Sequence, residues 1–475
     1  MGVSILEMIL WLMLSVAALG SAGHALLTKR DPRAALGWIV VCLVLPGVGV
    51  CLYWLLGVNR IRIRAREWQE QGVGMLWLEP RLCPWFADLP GELQSYAPFL
   101  NLVDAVTRRP LLMGNRIVPL HSGEEVYPAM LAAIAAARTS IFLSSYIFDS
   151  DATGRTFVAA LKGATERGCD VRVLVDALGE RYSRPSIHRL FKGSKVRVAR
   201  FLPPSLSGRG IHFNLRNHRK VLVVDGVVGF TGGMNIGDRH LAATDNPRRV
   251  VDLHFRVEGP VVGQMQDAFL EDWHFATSER FTPLPHPPPL PEGGAFCRGI
   301  SAGPNEDFEK LSWIVIGALN SARNRVRIMT PYFIPDRPLI TALTSAALRG
   351  VTVQIALPGK NNLPYVAWAS TAYLWELLQY GVQIYFHPPP FVHSKLLLID
   401  EHYALVGSAN LDPRSLRLNF EFCLEVYDGD LPETLSRHFD EVLAAASPVD
   451  LAQVDGRPFP RKLRDAFAKL FSPYL

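Results

Sequence analysis

The sequence predicts an α/β protein built from two repeated halves and preceded by an N-terminal pair of membrane-spanning helices. Three observations carry this. A polar motif, His-x-Lys-x4-Asp followed by an asparagine, occurs twice. Each copy lies among alternating apolar strands and helical stretches, the pattern of an α/β fold. The first 57 residues hold two long apolar runs. With 475 residues the chain has room for about three units of roughly 150 residues. Its 49% hydrophobic and 20% charged residues are ordinary globular usage, which excludes a wholly disordered chain and a polytopic channel.

The N-terminal runs come first in chain order. Ile5 to Leu27 and Ala35 to Gly57 are each 23 residues, about 34 Å as helix, which suits a bilayer. The short loop between them predicts a hairpin, with Pro46, Gly47 and Gly49 loosening the second span. No basic residue precedes the first run, so a cleaved signal peptide is not expected. The whole formal charge of +5 belongs to residues 1 to 66, which hold seven Lys or Arg and two acids. Lys29, Arg30 and Arg33 occupy the loop, and Arg60, Arg62, Arg64 and Arg66 follow the second span. Four basic residues against three place both ends of the hairpin, and with them the rest of the chain, on the cytoplasmic side. Six cysteines without a C-x-x-C pair also point to a reducing compartment rather than a disulfide framework.

Six segments follow from the composition: a hairpin at 1–57, a juxtamembrane junction at 58–115, a first half at 116–280, a proline-rich linker at 281–294, a second half at 295–447 and a tail at 448–475. In the first half, an apolar strand beginning at Ser140 leads to Asp149, and Arg167-Gly168 ends a helix before the strand to Asp176. The second half repeats this order: a strand leads from Val326 to Asp336, and Arg349-Gly350 precedes the strand to Pro358. The linker, rich in proline from Thr282 to Pro291, suits neither helix nor central strand. In the tail, Leu463, Phe467, Leu470 and Phe471 stand at helical spacing with Arg461, Lys462, Arg464 and Lys469. A helix packed on the second half is expected there, with contact to anionic lipid as the alternative. Eleven basic and no acidic residues between Arg181 and Lys220 predict a face for an anionic partner.

The chemistry lies in the duplicated motif. His218, Lys220 and Asp225 are followed by Gly233 and Asn235; His393, Lys395 and Asp400 are followed by Ser408 and Asn410. His to Lys is two residues, His to Asp seven and Asp to Asn ten in both copies, which lie 175 residues apart. A period of two puts His and Lys on one face of a strand, and the return strand brings Gly233 with Asn235, or Ser408 with Asn410, beside them. One such histidine could be structural, but an identical second cluster argues for a shared site. A neutral imidazole can attack phosphorus, a second can protonate the leaving alcohol, and lysines with asparagine amides can hold the non-bridging oxygens. This is phosphodiester chemistry without a cofactor; neither copy has a Cys partner or an H-E-x-x-H spacing, and each has a lysine where it would repel a cation, so no metal is predicted. Each imidazole needs a group to fix its tautomer, and Asp252 and Glu421, on later alternating strands, are the candidates.

These motifs, with Asn115 to Asp151, Asn214 to Lys220, Thr330 to Asp336 and Gly407 to Ser415, resemble the phospholipase D superfamily, and nearly the whole chain resembles its bacterial cardiolipin synthases of the two-span type. The resemblance implies two phospholipase D-like α/β halves about a pseudo-two-fold axis, with one active site at their interface. It implies His218 as nucleophile and His393 as acid and base. It also implies phosphatidyl transfer between two phosphatidylglycerol molecules, giving cardiolipin and glycerol. Relatives often carry Trp two residues before the first carboxylate, where this chain has Val250. A membrane-bound hydrolase of phospholipid or nucleic acid and a silent lipid-binding scaffold are the other classes. Intact duplicate motifs disfavour the scaffold. Sparse aromatics in the basic stretch and the membrane tether disfavour nucleic acid as partner.

Overall fold

The computed structural model describes residues 4–29, 31–58, 70, 90–203, 215–281, 284–304 and 309–472. The chain divides into two compact units, Met1–Glu67 and Trp68–Leu475.

In the first unit, helix Ile5–Thr28 starts at a capping box in which the Ser4 hydroxyl accepts from Glu7 N and the Glu7 carboxylate accepts from Ser4 N. Among the described residues it is the one helix long and apolar enough to cross a membrane. The second apolar run is not one helix of 23 residues. It is helix Pro32–Val44, a break at Leu45–Gly47, helix Val48–Leu52 and a wider turn over Tyr53–Gly57. Pro46 causes the break, because a proline disfavours helical backbone at the residue before it and has no N–H to donate. Within this unit the two runs touch: His24 Nδ1 lies 2.6 Å from Tyr53 Oη, and Trp54 Nε1 donates to Ser21 Oγ at 3.0 Å. The Arg60 to Arg66 cluster lies outside the described residues.

The second unit is organised on one 15-stranded sheet. At its centre strand Leu112–His121 pairs antiparallel with Ala295–Ala302. From Leu112–His121 the sheet runs outward through Leu253–Glu258, Val228–Gly232, Val221–Val224, Ser140–Ser145, Asp170–Asp176 and Arg197–Phe201. From Ala295–Ala302 it runs the other way through Glu421–Tyr427, Tyr403–Gly407, Leu396–Ile399, Arg325–Met329, Thr352–Pro358 and Gln383–His387. The repeat seen in the sequence therefore becomes the same strand order read outward from one seam. In both halves the parallel pairs are buried β-branched runs with helices as crossovers, as parallel pairing demands.

Helices cover the sheet, and among the described residues each half has a large core. One, in the first half, centres on Phe148, Phe157, Leu161, Val173 and Phe230. The larger one, in the second half, takes in Ile314, Val326, Ile355, Leu377 and Tyr427. It also takes in Leu93, Tyr96, Phe99, Leu100 and Val103, so the described part of the junction, with helix Ala97–Thr107, belongs to the core of the second half. That assignment is not visible in local composition. The linker is tied down rather than free: Leu290 N donates to Gly114 O at 2.9 Å, and His286 Nε2 lies 3.1 Å from Asp267.

Three cations of the run from Arg181 to Lys220 are neutralised and do not add to a basic face. Arg219 is buried on Asp272, Arg200 pairs with Glu180, and Arg197 pairs with Asp170 and Glu279. Acids distant in sequence neutralise these side chains, which a local count cannot register. Arg209 lies outside the described residues.

Candidate active site

Each motif lysine begins a strand whose next four residues are wholly buried: Val221–Val224 after Lys220 and Leu396–Ile399 after Lys395. The apolar run fixes the strand in the sheet and leaves His and Lys at its entry, facing the seam between the halves. There the two halves exchange short segments. His218 N donates to Phe420 O at 2.9 Å, and His393 N donates to Val251 O at 2.8 Å. Strand Phe391–Val392 pairs in parallel with Val250–Val251, and Asn217 bridges to Phe420. Val250, at the position where relatives often carry Trp, is thus a backbone partner of Phe391.

In both cases the residue after the accepting carbonyl is a carboxylate. Glu421 Oε2 lies 3.0 Å from His218 Nδ1, and Asp252 Oδ2 lies 2.8 Å from His393 Nδ1. Asp252 and Glu421 thus do stand on the histidines, but crosswise, each half supplying the carboxylate for the other half's imidazole. With Nδ1 engaged, Nε2 of each ring is left for chemistry.

The surroundings are dry. Both histidines and both lysines are buried, apart from the partly exposed ring of His218. Lys220 Nζ donates to His218 O at 2.7 Å, and Lys395 Nζ sits 3.2 Å from His393 Nε2. Burial pulls Lys220 down to about 7, helped by the charge of Lys395, and burial pulls Lys395 down to about 8. Burial also holds both histidines below their usual value, His393 the further, with both lysines adding to the effect. The two carboxylates differ. Burial raises Asp252, whereas at Glu421 the pull of His218 and Lys220 overcomes burial and keeps the group below the usual glutamate range. Two lysines and two imidazoles thus meet at one buried seam with Glu421 and Asp252 as their anions, and burial holds the cations below their usual values, so a phosphate entering there would stabilise their charged forms.

The Gly-x-x-Asn residues support this frame. Ser408 Oγ bonds Glu421 Oε2 and accepts from Phe422 N at 3.0 Å, fixing the carboxylate that holds His218. The first half has Gly233 at that place, and only glycine fits, because a Cβ would stand 2.3 Å from Asp252 Oδ1. Asn235 Oδ1 accepts from Ile147 N at 3.1 Å, and Asn410 Nδ2 donates to Ser415 Oγ at 3.2 Å. Both asparagines are buried and bracket loops of their own halves. The buried Asn410 Oδ1 has no partner.

Asp225 and Asp400 stand elsewhere. They close the far ends of the same strands, about 15 Å from the lysines at strand rise, in left-handed backbone with φ of 53° and 50°. Asp225 accepts from the backbone N–H groups of Arg138, Thr139 and Ser140 at 2.8–2.9 Å. Asp400 does the same for Arg323, Asn324 and Arg325 at 2.8–3.0 Å. Each clamps the loop that leads into the neighbouring antiparallel strand, Ser140–Ser145 in the first half and Arg325–Met329 in the second. Expected among the catalytic groups, they are structural by position, because a strand running away from the site carries them out of reach.

Several side chains beside the site were not singled out by the motif. Tyr146 packs edge-on against the ring of His218 with centroids 5.3 Å apart and lies under Lys220, and Tyr332 packs on His393 at 6.2 Å. They occupy matching positions in the two copies, Ser145-Tyr146-Ile147 and Pro331-Tyr332-Phe333, so the repeat itself was the signal. Arg219, the variable residue between His218 and Lys220, reaches across the seam to Glu421 O, Ser301 Oγ and Ala302 O. His254 is buried close by and held at about 4 by burial. Among the described residues no three His, Cys, Asp or Glu side chains converge as a metal ligand set.

Residues 130–273 and 315–443 match the family model described as cardiolipin synthase, PLD-like domain. The chain belongs to the cardiolipin synthase family of the phospholipase D superfamily. Residues 9–57 match the phospholipase D-nuclease N-terminal family, consistent with membrane association of the N-terminal unit. Among curated members of the family, a cardiolipin synthase A of Pseudomonas putida is 32% identical over 469 residues, covering 98% of this chain and 97% of the relative. A cardiolipin synthase of Geobacillus thermodenitrificans is 33% identical over 456 residues, 94% of this chain and 90% of the relative. The phosphatidylserine synthase of Haemophilus influenzae shares the fold, with a TM-score of 0.61 at 15% identity over 80% of this chain and 100% of that structure.

Proposed function

We propose that the chain joins two phosphatidylglycerol molecules into cardiolipin with release of glycerol, through a phosphohistidine on His218. His218 Nε2 attacks the phosphorus of the first lipid, and the bond from phosphorus to the glycerol headgroup breaks. His393 Nε2–H gives its proton to the departing glycerol oxygen. The free hydroxyl of a second phosphatidylglycerol then returns a proton to His393, attacks phosphorus and breaks the P–N bond. Burial and the two lysines disfavour a charged His393, but the phosphodiester of the arriving lipid adds negative charge and raises the proton affinity of His393 and both lysines. Lys220 and Lys395 hold the non-bridging oxygens as charge develops on them.

The observation that carries this reading is the crossed pair of dyads, His218–Glu421 and His393–Asp252. It ties both Nδ1 atoms and leaves two Nε2 atoms at one seam. The choice of His218 as nucleophile is supported by Glu421, which stays charged and offsets the positive phosphorylated imidazole. Common strand order outward from one seam supports a pseudo-two-fold axis through the site. The two apolar runs, packed through His24–Tyr53 and Ser21–Trp54, support a two-span anchor. We place the catalytic halves in the cytoplasm; the five described cysteines are all free, as a reducing compartment requires. Cysteine labelling at Glu292→Cys from outside intact cells should then fail until lysis.

Liposomes of phosphatidylglycerol alone test the activity. Cardiolipin and free glycerol are the expected products, and excess glycerol should drive the reaction backwards, since one phosphodiester replaces another. Phosphatidic acid as the main product would assign the chain to the hydrolases instead.

A further inference from the structure

The C-terminal helix Phe459–Lys469 is packed inside out. Its inward positions are Asp465, Ala468 and the following Ser472, and Asp465 is 1% exposed. Asp465 is held by Arg457 and by Arg464, the latter at 2.7 Å, and Tyr373 Oη donates to Ser472 Oγ at 3.0 Å. Lys469 reaches Glu376 at 3.3 Å. The large apolar side chains face outward: Phe459 is 75% exposed, Leu463 59%, Phe467 62% and Leu470 72%. At 3.6 residues per turn these four fall within an arc of about 80°. A helix serving only a core would turn that stripe inward.

Two observations identify what covers the stripe. The first is charge. Going round the helix, Arg464 follows the apolar arc on one side, and Lys469 and Lys462 flank it on the other. An apolar arc rimmed by cations is the pattern of a helix lying in a lipid interface; Arg464 and Lys469 are tied to Asp465 and Glu376, which leaves Lys462 to reach the headgroups. Among the described residues, Lys462 has no acidic partner. The second is position. Ala468 shares a buried cluster with Ile334, Val366 and Ala369, against which Tyr332 packs, and Tyr332 is the ring on His393. The loop before helix Pro364–Thr371 also accepts from Tyr332, through Asn362 Oδ1 at 2.9 Å. One apolar cluster therefore separates the greasy helix from the catalytic imidazole.

We propose that the C-terminal helix is an interfacial lipid-binding element that lays Phe459, Leu463, Phe467 and Leu470 into an anionic membrane surface beside the active site. It makes a lipid contact separate from the N-terminal apolar runs. Its role is to set the catalytic seam against the headgroup layer from which substrate is drawn.

The full chain, reconstituted in vesicles of equal phosphatidylglycerol and phosphatidylcholine, tests this. An environment-sensitive fluorophore on Leu463→Cys or Phe467→Cys, in a Cys51→Ser, Cys83→Ser background, should be quenched by spin-labelled acyl chains. The same label on Asp455→Cys, exposed and off the helix, should not. This arm needs no turnover and stands apart from the proposed reaction. The kinetic arm rests on that reaction. Leu463→Ser with Phe467→Ser should lower turnover of vesicle phosphatidylglycerol about tenfold and leave turnover of a short-chain, monomeric phosphatidylglycerol unchanged. Lys462→Glu should lower it less, and high salt should erase the difference from wild type. Equal quenching at positions 463 and 455 would overturn the proposal. So would a label at 463 shielded in detergent in a concentration-dependent way, the mark of a second copy on this face.

Discussion

Glu421 Oε2 meets His218 Nδ1 at 3.0 Å across 203 residues of chain, and Asp252 meets His393 in the mirror arrangement. Neither half can orient its own imidazole. The site exists only where the halves meet, and the backbone bonds from His218 N to Phe420 O and from His393 N to Val251 O set the register that makes both contacts.

The crossed dyads predict separable defects. Glu421→Gln should slow formation of the phosphatidyl-enzyme, because it weakens His218, and Asp252→Asn should slow breakdown more than formation, because it weakens His393 as the base that breakdown requires. Losses of roughly 10- to 100-fold are expected. Rapid-quench measurement of acid-labile, lipid-labelled protein distinguishes them: the adduct should be scarce in the first variant and abundant in the second. The reverse pattern would exchange the roles of the histidines.

Loss of either imidazole should be more severe. His218→Ala and His393→Ala should each remove nearly all turnover of radiolabelled phosphatidylglycerol. Mass spectrometry of the His393→Ala protein should find any trapped lipid on His218.

Asp225 and Asp400 should matter for stability and not for chemistry. Asp400→Ala frees three backbone N–H groups from a carboxylate, and a cost of about 2–3 kcal/mol is expected from the loss of such charge-assisted bonds. Unfolding should shift to lower denaturant while turnover per folded molecule stays near wild type. A loss of turnover in fully folded protein would return Asp400 to the reaction.

The lysines predict an alkaline limit. With Lys220 near 7 and Lys395 near 8, both lose their protons in the free enzyme as pH rises through that range, and kcat/KM should fall there. Lys220→Arg, which stays charged, should move that limb to higher pH even at a lower absolute rate. On the acid side the neutral histidines should persist to below pH 6.5, since burial lowers both.

The same shift has a consequence for folding. A lysine with a folded value below its unfolded 10.5 binds fewer protons folded than unfolded between those two values, so stability rises with pH across that window. Lys220→Met removes the buried charge. Its unfolding midpoint at pH 7 should rise by on the order of 2–4 °C while turnover collapses, as thermal denaturation of the two proteins side by side would show.

The duplicated motif determined by itself that two His–Lys pairs share one kind of site, because a period of two and a buried run of four fix which face each residue takes. The α/β class and the division into two like halves follow from the same local repetition, while the order of strands in the sheet does not. The apolar runs from Ile5 and from Ala35 were equally plain, though the sequence did not show that Pro46 divides the second into separate helices. Tertiary structure alone decided which carboxylate serves which histidine, since strands that cross a seam carry no trace of their partner in local spacing. It also removed Asp225 and Asp400 from the site, for a residue five positions along a strand shares a motif with Lys220 yet lies a strand's length away. The C-terminal helix marks the same limit. Its periodicity shows an apolar stripe, but whether that stripe faces a core or a membrane depends on Asp465 finding Arg457 and Arg464 on the inner side.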